Sequence, residues 1–352
     1  MTFNVFYGNI TVRITVLHVV FMKKVVMTET RKNPFNEIYA QLNGNDGDFD
    51  FPVCIDVELT NNCNLHCLFC PTGTGMSTRN KGFMAEEVFY NLLDNLKGRR
   101  IGLRFSRWGE PTLHSKIIDF FKMAKKDGHL LHLNTNGQLL NETFIIDLIT
   151  TGMDSIKFSF QGVDEKSYQE MRQDSNYIKL LENVKAVYTI RGTMALPYIH
   201  VSTTTTYETD DEIKGFKEMI FPYCDLVTAG KTKLEHIEIG KTKLNDSKKK
   251  LLSELKEKES VVEERFKLCP EAFGKVSIDW DGHVTACCSD YNHDMIIGNV
   301  KKDSLYNIFH GEKIKKHREI LRNREFEKIP HCSRCFDLMS LQCKSKSAGT
   351  VT

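Results

Sequence analysis

The 352-residue sequence predicts an α/β fold, in which a partial (β/α)6 TIM-like barrel is followed by a small α+β domain. Two observations lead to this expectation. Apolar, β-branched runs alternate six times with segments at helical spacing, the order that produces a parallel sheet flanked by helices. The cysteine-, glycine- and asparagine-rich stretches also follow the predicted strands, at the carboxyl ends where parallel barrels bind their ligands.

The individual elements follow from local pattern. The predicted strands comprise residues 53–59, 101–105, 130–133, 155–160, 198–205 and 224–228. The predicted helices comprise residues 34–42, 84–96, 117–123, 144–151, 164–172, 177–189 and 210–219. In the helix at 84–96, for example, Val88, Leu92 and Leu96 recur at the spacing of one helical face. Right-handed crossovers between parallel strands would curl the sheet into a barrel or part of one.

Composition changes divide the chain into five parts. They are an N-terminal extension (1–50), the barrel (51–240), a Lys- and Glu-rich helical linker (241–265), a second cysteine-containing domain (266–345) and a tail (346–352). The apolar run at 10–21 contains Arg13 and His18 and is too short for a membrane span. Met22 and Met27 are alternative start sites.

Charge and cysteine content limit the function classes. The chain has 48 basic and 46 acidic residues, so it offers no electrostatic reason to expect nucleic acid or an anionic membrane as a partner. Its 11 cysteines are clustered rather than spread as disulfide pairs. Thiolate ligands in a reducing compartment fit this pattern, and we therefore expect a cytoplasmic protein.

Three thiols follow the first barrel strand at spacing C-x3-C-x2-C: Cys63, Cys67 and Cys70. Three thiolates can hold three corners of a [4Fe–4S] cluster, which leaves the fourth iron open to a small molecule. The alternative is structural zinc, for which His66 is available. Zinc requires four ligands, however, and the next hundred residues contain no further cysteine.

The cysteine loop, with Phe69 before its third cysteine, resembles that of the radical S-adenosylmethionine (radical SAM) enzymes. The resemblance covers roughly residues 50–230. It implies that the methionine part of S-adenosylmethionine chelates the open iron, and that one electron from the cluster yields a 5′-deoxyadenosyl radical. It also implies an electron donor such as flavodoxin or ferredoxin.

Further motifs match the layout of the same family. Trp108-Gly109-Glu110-Pro111 resembles its Gly-Gly-Glu-Pro turn, whose backbone and carboxylate meet the amino group of the cofactor, although Trp108 replaces the first Gly. The resemblance also implies cofactor contacts for residues after the next strands and in the following helix, namely Asn134, Asn136, Ser159, Gln161 and Arg172. Taken singly, each of these is as well explained by turn formation or surface exposure.

The C-terminal domain contains Cys269, Cys287, Cys332 and Cys335, with an Asp281-Gly282 turn that favours a hairpin. This order resembles the SPASM and "twitch" domains appended to radical SAM barrels, and it implies one auxiliary [4Fe–4S] cluster. Four thiolates also suit zinc. A second auxiliary cluster would lack ligands, because only Cys343 follows. We expect the remaining thiols to be packed or incidental, namely Cys54, Cys224, Cys288 and Cys343.

The cluster arrangement looks like that of twitch-type dehydrogenases of aminocyclitols. It favours oxidation of a small molecule such as a sugar or cyclitol, with the auxiliary cluster as electron acceptor and Lys231 or Lys233 as a conceivable base. Three alternatives stay open. One is a radical epimerase in which Cys224 or Cys288 returns a hydrogen atom. The others are a peptide-modifying maturase and a non-catalytic iron–sulfur or zinc protein.

Overall fold

A computed structural model of the chain describes residues 2–7, 10–15, 31–43, 49–259, 269–333 and 335. The chain divides into two units, Met1–Arg31 and Lys32–Thr352. In the first unit, β1 (Thr2–Tyr7) pairs antiparallel with β2 (Ile10–Thr15). The calls on residues 16–30, 260–268, 336–352 and Cys343 lie outside the described residues.

The second unit contains eleven strands among its described residues. They are β3 (Cys54–Val57), β4 (His66–Cys67), β5 (Gly102–Phe105), β6 (Leu130–Thr135), β7 (Ser155–Gln161), β8 (Arg172–Gln173), β9 (Tyr198–Thr205), β10 (Leu226–Lys231), β11 (Lys275–Ile278), β12 (His283–Thr285) and β13 (Ile296–Asn299).

Most helices of this unit lie between its strands, while the first helix precedes the first strand and the last three described helices follow the last strand. The helices are α1 (Asn36–Asn43), α2 (Pro71–Thr74), α3 (Glu86–Leu96), α4 (Ile117–Lys126), α5 (Glu142–Thr150), α6 (Glu165–Met171), α7 (Tyr177–Arg191), α8 (Asp210–Ile220), α9 (Asp246–Glu259), α10 (Pro270–Gly274), α11 (Leu305–Phe309), α12 (Glu312–Arg322) and α13 (Pro330–Ser333). Short 3-10 turns cover Pro111–Leu113, Phe221–Tyr223, Ile239–Lys241 and Phe326–Lys328. Among the described residues, every helix is too short or too polar to cross a bilayer.

One nine-stranded sheet organises the second unit, in the order β10-β9-β7-β6-β5-β3-β11-β12-β13. The strands from β10 to β11 are parallel, and β12 and β13 continue the sheet antiparallel. Six parallel strands with their crossover helices confirm the predicted partial (β/α)6 barrel with a small α+β domain after it. The second domain is nevertheless not a separate body, because β11 pairs with β3 and covers what would be an open sheet edge.

The sheet has an apolar face toward the helices and a polar face toward the barrel interior. Ile55 and Val57 of β3 lie in the main hydrophobic core, where Phe89 stacks on Phe120 at 4.2 Å between ring centroids. Asp56 points the other way and pairs with Arg104 Nε at 2.5 Å. Burial opposes ionisation of Asp56, but Arg104 outweighs it and holds its pKa at about 2. The two-residue period of the strands produces this division.

Helix α1 covers the amino ends of the barrel strands. Phe35 and Ile38 are fully buried together with Cys54 and Leu130. A Cβ atom at Gly102 would lie 2.8 Å from Ile38 and 2.9 Å from Phe35, so only glycine permits this close packing. The short helix predicted before the first strand therefore forms the floor of the barrel.

The sixth barrel strand is displaced from its predicted position. Residues 224–228 were expected, but the strand is Leu226–Lys231. The physical reason is the 3-10 turn at Phe221–Tyr223, to which the Cys224 backbone N–H returns a hydrogen bond of 3.3 Å. Lys231 consequently lies at the carboxyl end of the strand, and Cys224 precedes its amino end.

The predicted solvated linker is partly packed. Its residues 246–259 form α9, where Leu252 is fully buried in a small apolar cluster with Met171, Leu234 and Ile237. The cluster fixes the chain that follows β10 against α6, because Met171 ends that helix. The expectation of a wholly solvent-exposed helix is wrong at this face.

Candidate active site

The cysteine loop after β3 is fixed by short-range backbone pairing. Strand β4 pairs antiparallel with β8, so that Cys67 lies opposite Arg172. The Leu68 N–H donates to the Met171 carbonyl at 2.9 Å. A Cβ at Gly73 would lie 2.5 Å from the backbone N and O of Cys67, so glycine is required for α2 to approach the loop this closely.

The three loop thiols converge. Burial raises the pKa of Cys63 to about 12, and the Cys67 and Cys70 thiols contribute to the increase because they are near. Burial likewise raises the pKa of Cys67 to about 11, against the opposing effect of Arg172. Thiols that resist ionisation in the bare protein become thiolates when a cationic metal centre neutralises them. The donor set therefore fits a three-thiolate cluster site.

Two of the expected cofactor contacts lie against these thiols. Arg172 Nη1 is 3.9 Å from Cys67 Sγ, and its guanidinium lies 5.4 Å from the centre of the Phe69 ring. The Nε atom of Arg172 is buried and has no hydrogen-bond partner in the described part of the chain. Asn136 Nδ2 lies 3.9 Å from Cys63 Sγ and donates to Asn64 Oδ1 at 2.9 Å.

Gly109 brings its turn against the segment that precedes the cysteine loop. A Cβ at this position would lie 2.1 Å from the Thr60 carbonyl oxygen and 2.7 Å from that of Asn62. The Glu110 N–H donates to the Asn62 carbonyl at 2.8 Å. The glycine is therefore needed to join the two loops, independently of any ligand.

The Glu110 carboxylate is occupied within the protein. Its Oε1 accepts from the Thr112 N–H, the Thr112 hydroxyl and the Thr135 hydroxyl, at 3.2, 2.6 and 2.7 Å, while Oε2 accepts from the Asn136 N–H at 2.8 Å. Burial raises the pKa of Glu110, and these hydrogen bonds oppose the increase. Both oxygens fasten the turn to the end of β6, and the contact of this carboxylate with the cofactor's amino group stays a prediction.

The remaining predicted contacts lie at the carboxyl ends of β6 and β7. Asn134 donates to the Ser106 hydroxyl at 2.9 Å and lies 2.8 Å from His132 Nε2. Gln161 is fully buried, donates to the Thr232 hydroxyl at 2.8 Å and accepts from Thr204 at 2.6 Å. Ser159 is half-buried on the polar face of β7. The fold thus brings these residues to one edge of the sheet, as their positions after the strands predict.

The second set of cysteines also comes together. Burial raises the pKa of Cys269, followed by Glu271, and the nearby Cys335 thiol adds a smaller contribution. A hydrogen bond from Cys288 lowers the pKa of Cys287, but burial and the nearby Cys269 thiol raise it overall. The Cys335 N–H donates to the Cys332 carbonyl at 3.2 Å, and all four predicted ligands pack against the main core. An all-thiolate set of this kind suits an auxiliary iron–sulfur cluster.

Arg107 links the two cysteine sites. Its Nη1 donates to the carbonyls of Cys287 and Cys288, both at 2.9 Å, and its Nη2 donates to the Asp279 carboxylate at 2.7 Å and the Asp290 carbonyl at 3.0 Å. Its backbone has a φ of 108°, a conformation that residues other than glycine rarely adopt. Arg107 directly precedes Trp108, whose indole N–H donates to the same Asp290 carbonyl at 3.2 Å.

A second buried arginine completes this ion network. Arg79 donates to both oxygens of Glu58, at 2.9 and 2.7 Å, and pairs with Asp279 at 3.1 Å. His293 Nε2 is 2.7 Å from the other side of the Asp279 carboxylate group. Burial and the neighbouring Asp279 raise the pKa of Glu58. Burial also acts to raise the pKa of Asp279, but Arg107 outweighs this effect and the pKa of Asp279 is lowered. Sequence reasoning missed this network, for which only the acidic residue Glu58 directly after a buried strand gave a signal.

A cavity of about 290 Å³ lies between the two cysteine sites. It is lined by Phe69 of the cysteine loop, by Cys335 of the second set, and by Trp108, Thr204, Lys231, Lys233, Glu235, His236, Ser289 and His331. Trp108, His236 and Tyr291 pack edge to face, with ring centroids 5.0–6.2 Å apart. The loop after β10 therefore supplies much of the cavity wall.

The two thiols considered as hydrogen-atom donors lie outside the described lining of the cavity. Cys224 is buried before β10 and its sulfur contacts the Ile220 carbonyl at 3.6 Å, at the amino ends of the strands. Cys288 is half-buried beside Cys287, and its sulfur lies within 4.8 Å of carboxylate oxygens of Asp56 and Glu271.

Comparison with known proteins agrees with this geometry. Residues 57–220 match the profile of the radical SAM superfamily, and residues 269–336 match that of the SPASM iron–sulfur cluster-binding domain. An uncharacterised protein of Methanocaldococcus jannaschii is 28% identical over 176 residues, covering 48% of this chain and 54% of the relative. The tungsten-containing aldehyde ferredoxin oxidoreductase cofactor-modifying protein of Pyrococcus furiosus is 31% identical over 105 residues, covering 29% of each.

A third relative is the PqqA peptide cyclase of Bradyrhizobium diazoefficiens, with 27% identity over 117 residues, 33% of this chain and 30% of the relative. The chain thus spans about half or less of the length of these curated relatives. Among solved structures, BtrN in complex with AdoMet and 2-DOIA superposes with a TM-score of 0.53 at 17% identity, covering 82% of this chain and 94% of BtrN. Streptococcus suis SuiB bound to S-adenosylmethionine gives 0.57 at 15% identity, covering 81% and 72%.

The chain belongs to the radical SAM superfamily and carries a SPASM domain after its radical SAM domain. These domains imply a [4Fe–4S] cluster, S-adenosylmethionine and auxiliary iron–sulfur as cofactors. The two convergent thiol sets fit that requirement.

Proposed function

We propose that the protein is a radical SAM oxidoreductase that oxidises a small molecule bound in the 290 Å³ cavity. The observation that carries this proposal is the position of the cavity, which Phe69 borders on one side and Cys335 on another. A substrate held there would lie between the source of the radical and an electron acceptor.

In this proposal Cys63, Cys67 and Cys70 hold the first cluster, and Cys269, Cys287, Cys332 and Cys335 hold the auxiliary one. When bound, the first cluster and S-adenosylmethionine supply a 5′-deoxyadenosyl radical.

The cofactor contacts are divided between side chains and backbone. Arg172 and Asn136 lie beside the thiols and contact the cofactor, together with the polar ends of β6 and β7, which carry Asn134, Ser159 and Gln161. At the Gly109-Glu110 turn, the backbone and the Glu110 carboxylate make the contact, and hydrogen bonds from Thr135 and Asn136 hold that carboxylate in place.

The proposed reaction removes two electrons from the substrate. A substrate C–H bond loses its hydrogen atom to the radical, which gives 5′-deoxyadenosine. A base would take a proton from the substrate radical. The auxiliary cluster that Cys269, Cys287, Cys332 and Cys335 would hold could supply an acceptor for the remaining unpaired electron, and the product would be two hydrogens poorer than the substrate. A four-thiolate cluster offers no open iron for the substrate and is suited to this transfer. An external donor such as flavodoxin or ferredoxin would re-reduce the first cluster.

The test uses anaerobically reconstituted protein. The protein should contain about eight irons, as two cubane clusters require, and should release 5′-deoxyadenosine with S-adenosylmethionine and dithionite. Replacement of Cys332 by Ala should spare much of this release but stop formation of the oxidised product. Unchanged product in the Cys332→Ala protein would rule out the role of the auxiliary cluster as acceptor.

A radical epimerase is the second candidate, because Cys288 is a thiol that directly precedes Ser289, a residue of the cavity wall. Turnover in D2O separates the two. An epimerase would incorporate deuterium at the reacting carbon, whereas the dehydrogenase would give a product two hydrogens poorer. Replacement of Cys288 by Ser would abolish only the epimerase reaction.

Peptide modification is a third candidate, since the similar proteins include a peptide cyclase. The volume of the cavity favours a small molecule or one side chain over a longer peptide segment. Deoxyadenosine release stimulated by peptides and not by small molecules would support the peptide reading. Zinc without iron in oxygen-free material would instead indicate a non-catalytic zinc protein.

A further inference from the structure

The wall of the cavity has a charge that indicates a substrate class. Lys231 lies at the carboxyl end of β10, opposite Thr205 of β9 in the parallel pairing, and lines the cavity. The Lys231 side chain makes no hydrogen bond or ion pair with the described residues, and the residue is exposed. A lysine that lines a binding cavity and has no counter-ion among the described residues is available to an anion from outside.

The other charges near Lys231 do not neutralise it. Lys233 lines the same cavity, so two ammonium groups lie on one wall. Among the described lining residues, Glu235 is the only carboxylate, and its Oε2 lies 3.9 Å from His236 Nε2. Lys233 and Glu235 each make further interactions, so we base the anion site on Lys231 alone.

The rest of the wall suits an uncharged body. Trp108 and Phe69 offer aromatic surface, and Thr204 offers a hydroxyl. The Thr204 hydroxyl already donates to Gln161 and retains its capacity to accept a hydrogen bond. A molecule with a polar carbon skeleton and one anionic end would match the aromatic wall and the lysines at once.

We propose that the substrate carries an anionic group, a phosphate or a carboxylate, which Lys231 binds. This inference rests on the proposed function for the identity of the cavity as the substrate site. It also distinguishes the substrate from an aminocyclitol, because an ammonium group facing Lys231 would be repelled and would find one carboxylate at most. A charge-assisted hydrogen bond to Lys231 fixes the anionic end and so determines which carbon faces the cysteine loop.

Anion binding can be measured without turnover. The probes are inorganic phosphate, followed by 31P relaxation, and 13C-labelled acetate, followed by 13C relaxation. The protein is reconstituted holoprotein reduced with dithionite, because the paramagnetic reduced cluster next to the cavity accelerates relaxation of an anion bound there. We expect excess relaxation for at least one probe, and the two arms distinguish a phosphate site from a carboxylate site.

Three variants locate the site. Lys231→Gln should weaken the binding about tenfold or more, the effect of losing one charge-assisted hydrogen bond. Lys231→Arg should retain it. Lys217→Gln, which removes an exposed lysine from α8, is the matched control and should behave as the wild type. Equal iron content in all proteins shows that the variants are folded.

Equal relaxation in the Lys231→Gln and wild-type proteins would overturn the proposal, and so would the absence of excess relaxation for both probes in the wild type. A hexose, its 6-phosphate, the corresponding uronic acid and the 2-amino sugar then form a charge series for deoxyadenosine release. The anionic members should stimulate release most, and greatest stimulation by the amino sugar would also overturn the inference. Anion binding without an oxidised product would refute the proposed reaction and leave the anion site standing.

Discussion

Replacement of Arg107 by Ala is the most informative perturbation of this fold. The side chain is 1% exposed and makes four hydrogen bonds, three of them to carbonyls of the C-terminal domain and one to Asp279, which is 0% exposed. In the variant, Arg79 and His293 remain beside Asp279. Arg79 is then the one arginine that pairs with both buried carboxylates, those of Glu58 and Asp279. The substitution therefore leaves buried negative charge without compensation.

The magnitude follows from this imbalance. Removing one partner of a buried ion pair costs about 3–5 kcal/mol, mostly because the other charge stays buried. An unfolding entropy of about 2.1 cal/mol/K per residue gives about 0.7 kcal/mol/K for 352 residues, so Tm should fall by about 4–7 °C. The backbone strain at φ 108° is the same in Ala as in Arg. Arg107→Gly, which relieves that strain, should be the less damaging change.

Thermal unfolding of reconstituted protein, followed by circular dichroism, measures the effect. Arg100→Ala is the matched control, because Arg100 pairs with Glu37 at 2.8 Å but the two side chains are 60% and 46% exposed. An exposed pair contributes about 0–1 kcal/mol, so the control should shift Tm by no more than about 1 °C. The EPR signal of the reduced auxiliary cluster should also change only in the Arg107 variant, since this guanidinium bonds the Cys287 carbonyl. Equal shifts in both variants would refute the assignment of Arg107 as the link between the domains.

Other predictions concern the cysteine loop, the cofactor turn and acid stability. Cys67→Ala should reduce the iron content from about eight to about four and abolish deoxyadenosine release. The control Cys54→Ala, in the barrel floor, should leave the iron content unchanged. Loss of iron from both variants would contradict the ligand assignment. Gly109→Ala should weaken S-adenosylmethionine binding about tenfold in equilibrium dialysis, which corresponds to about 1.4 kcal/mol. The reason is that the new Cβ would lie 2.1 Å from the Thr60 carbonyl oxygen. Gly215→Ala is the control, because the space around its Cβ is open. Burial lowers the pKa of His132 to about 3, so below the unfolded-state value of about 6.5 the unfolded chain binds more protons and acid destabilises the fold. In urea titrations, the wild-type protein should lose about 1 kcal/mol of folding stability between about pH 7 and 5.5 because of this histidine, and the His132→Gln protein should be spared that loss. An unchanged pH slope in the variant would show that the imidazole is not held neutral.

Much of this fold could be predicted because its signals are local. The helices at 84–96 and 177–189 and the strand at 198–205 are visible as 3.6- and 2-residue periods, and they lie within a few residues of the observed α3, α7 and β9. The predicted strand 224–228 begins too early, because the stretch around Cys224 is as apolar as the strand itself. The 3-10 turn that excludes it depends on packing against α8.

For the candidate site, too, local features could be predicted and contacts between distant residues could not. The three thiols at 63–70 define their own chemistry through spacing, and the positions of Asn136 and Arg172 after strand and helix indicated the right edge of the sheet. No pattern in the sequence indicates the hydrogen bond from Thr135 to Glu110, because both residues are ordinary members of turns. The direction of a carboxylate depends on neighbours from another strand.

From the sequence alone we could predict the order of the barrel elements, the two cysteine sets and the superfamily, because these depend on periodicity and on spacing within short segments. The folded structure was needed to show that β11 extends the barrel sheet and that Arg107 joins the turn before Glu110 to the Cys287 carbonyl. It also shows that Lys231, which has no ion pair among the described residues, borders the cavity. These features depend on contacts between distant segments: Arg107 and Cys287 are 180 positions apart. Contacts of that range leave no period or spacing in the sequence, and they form only when burial brings the segments together.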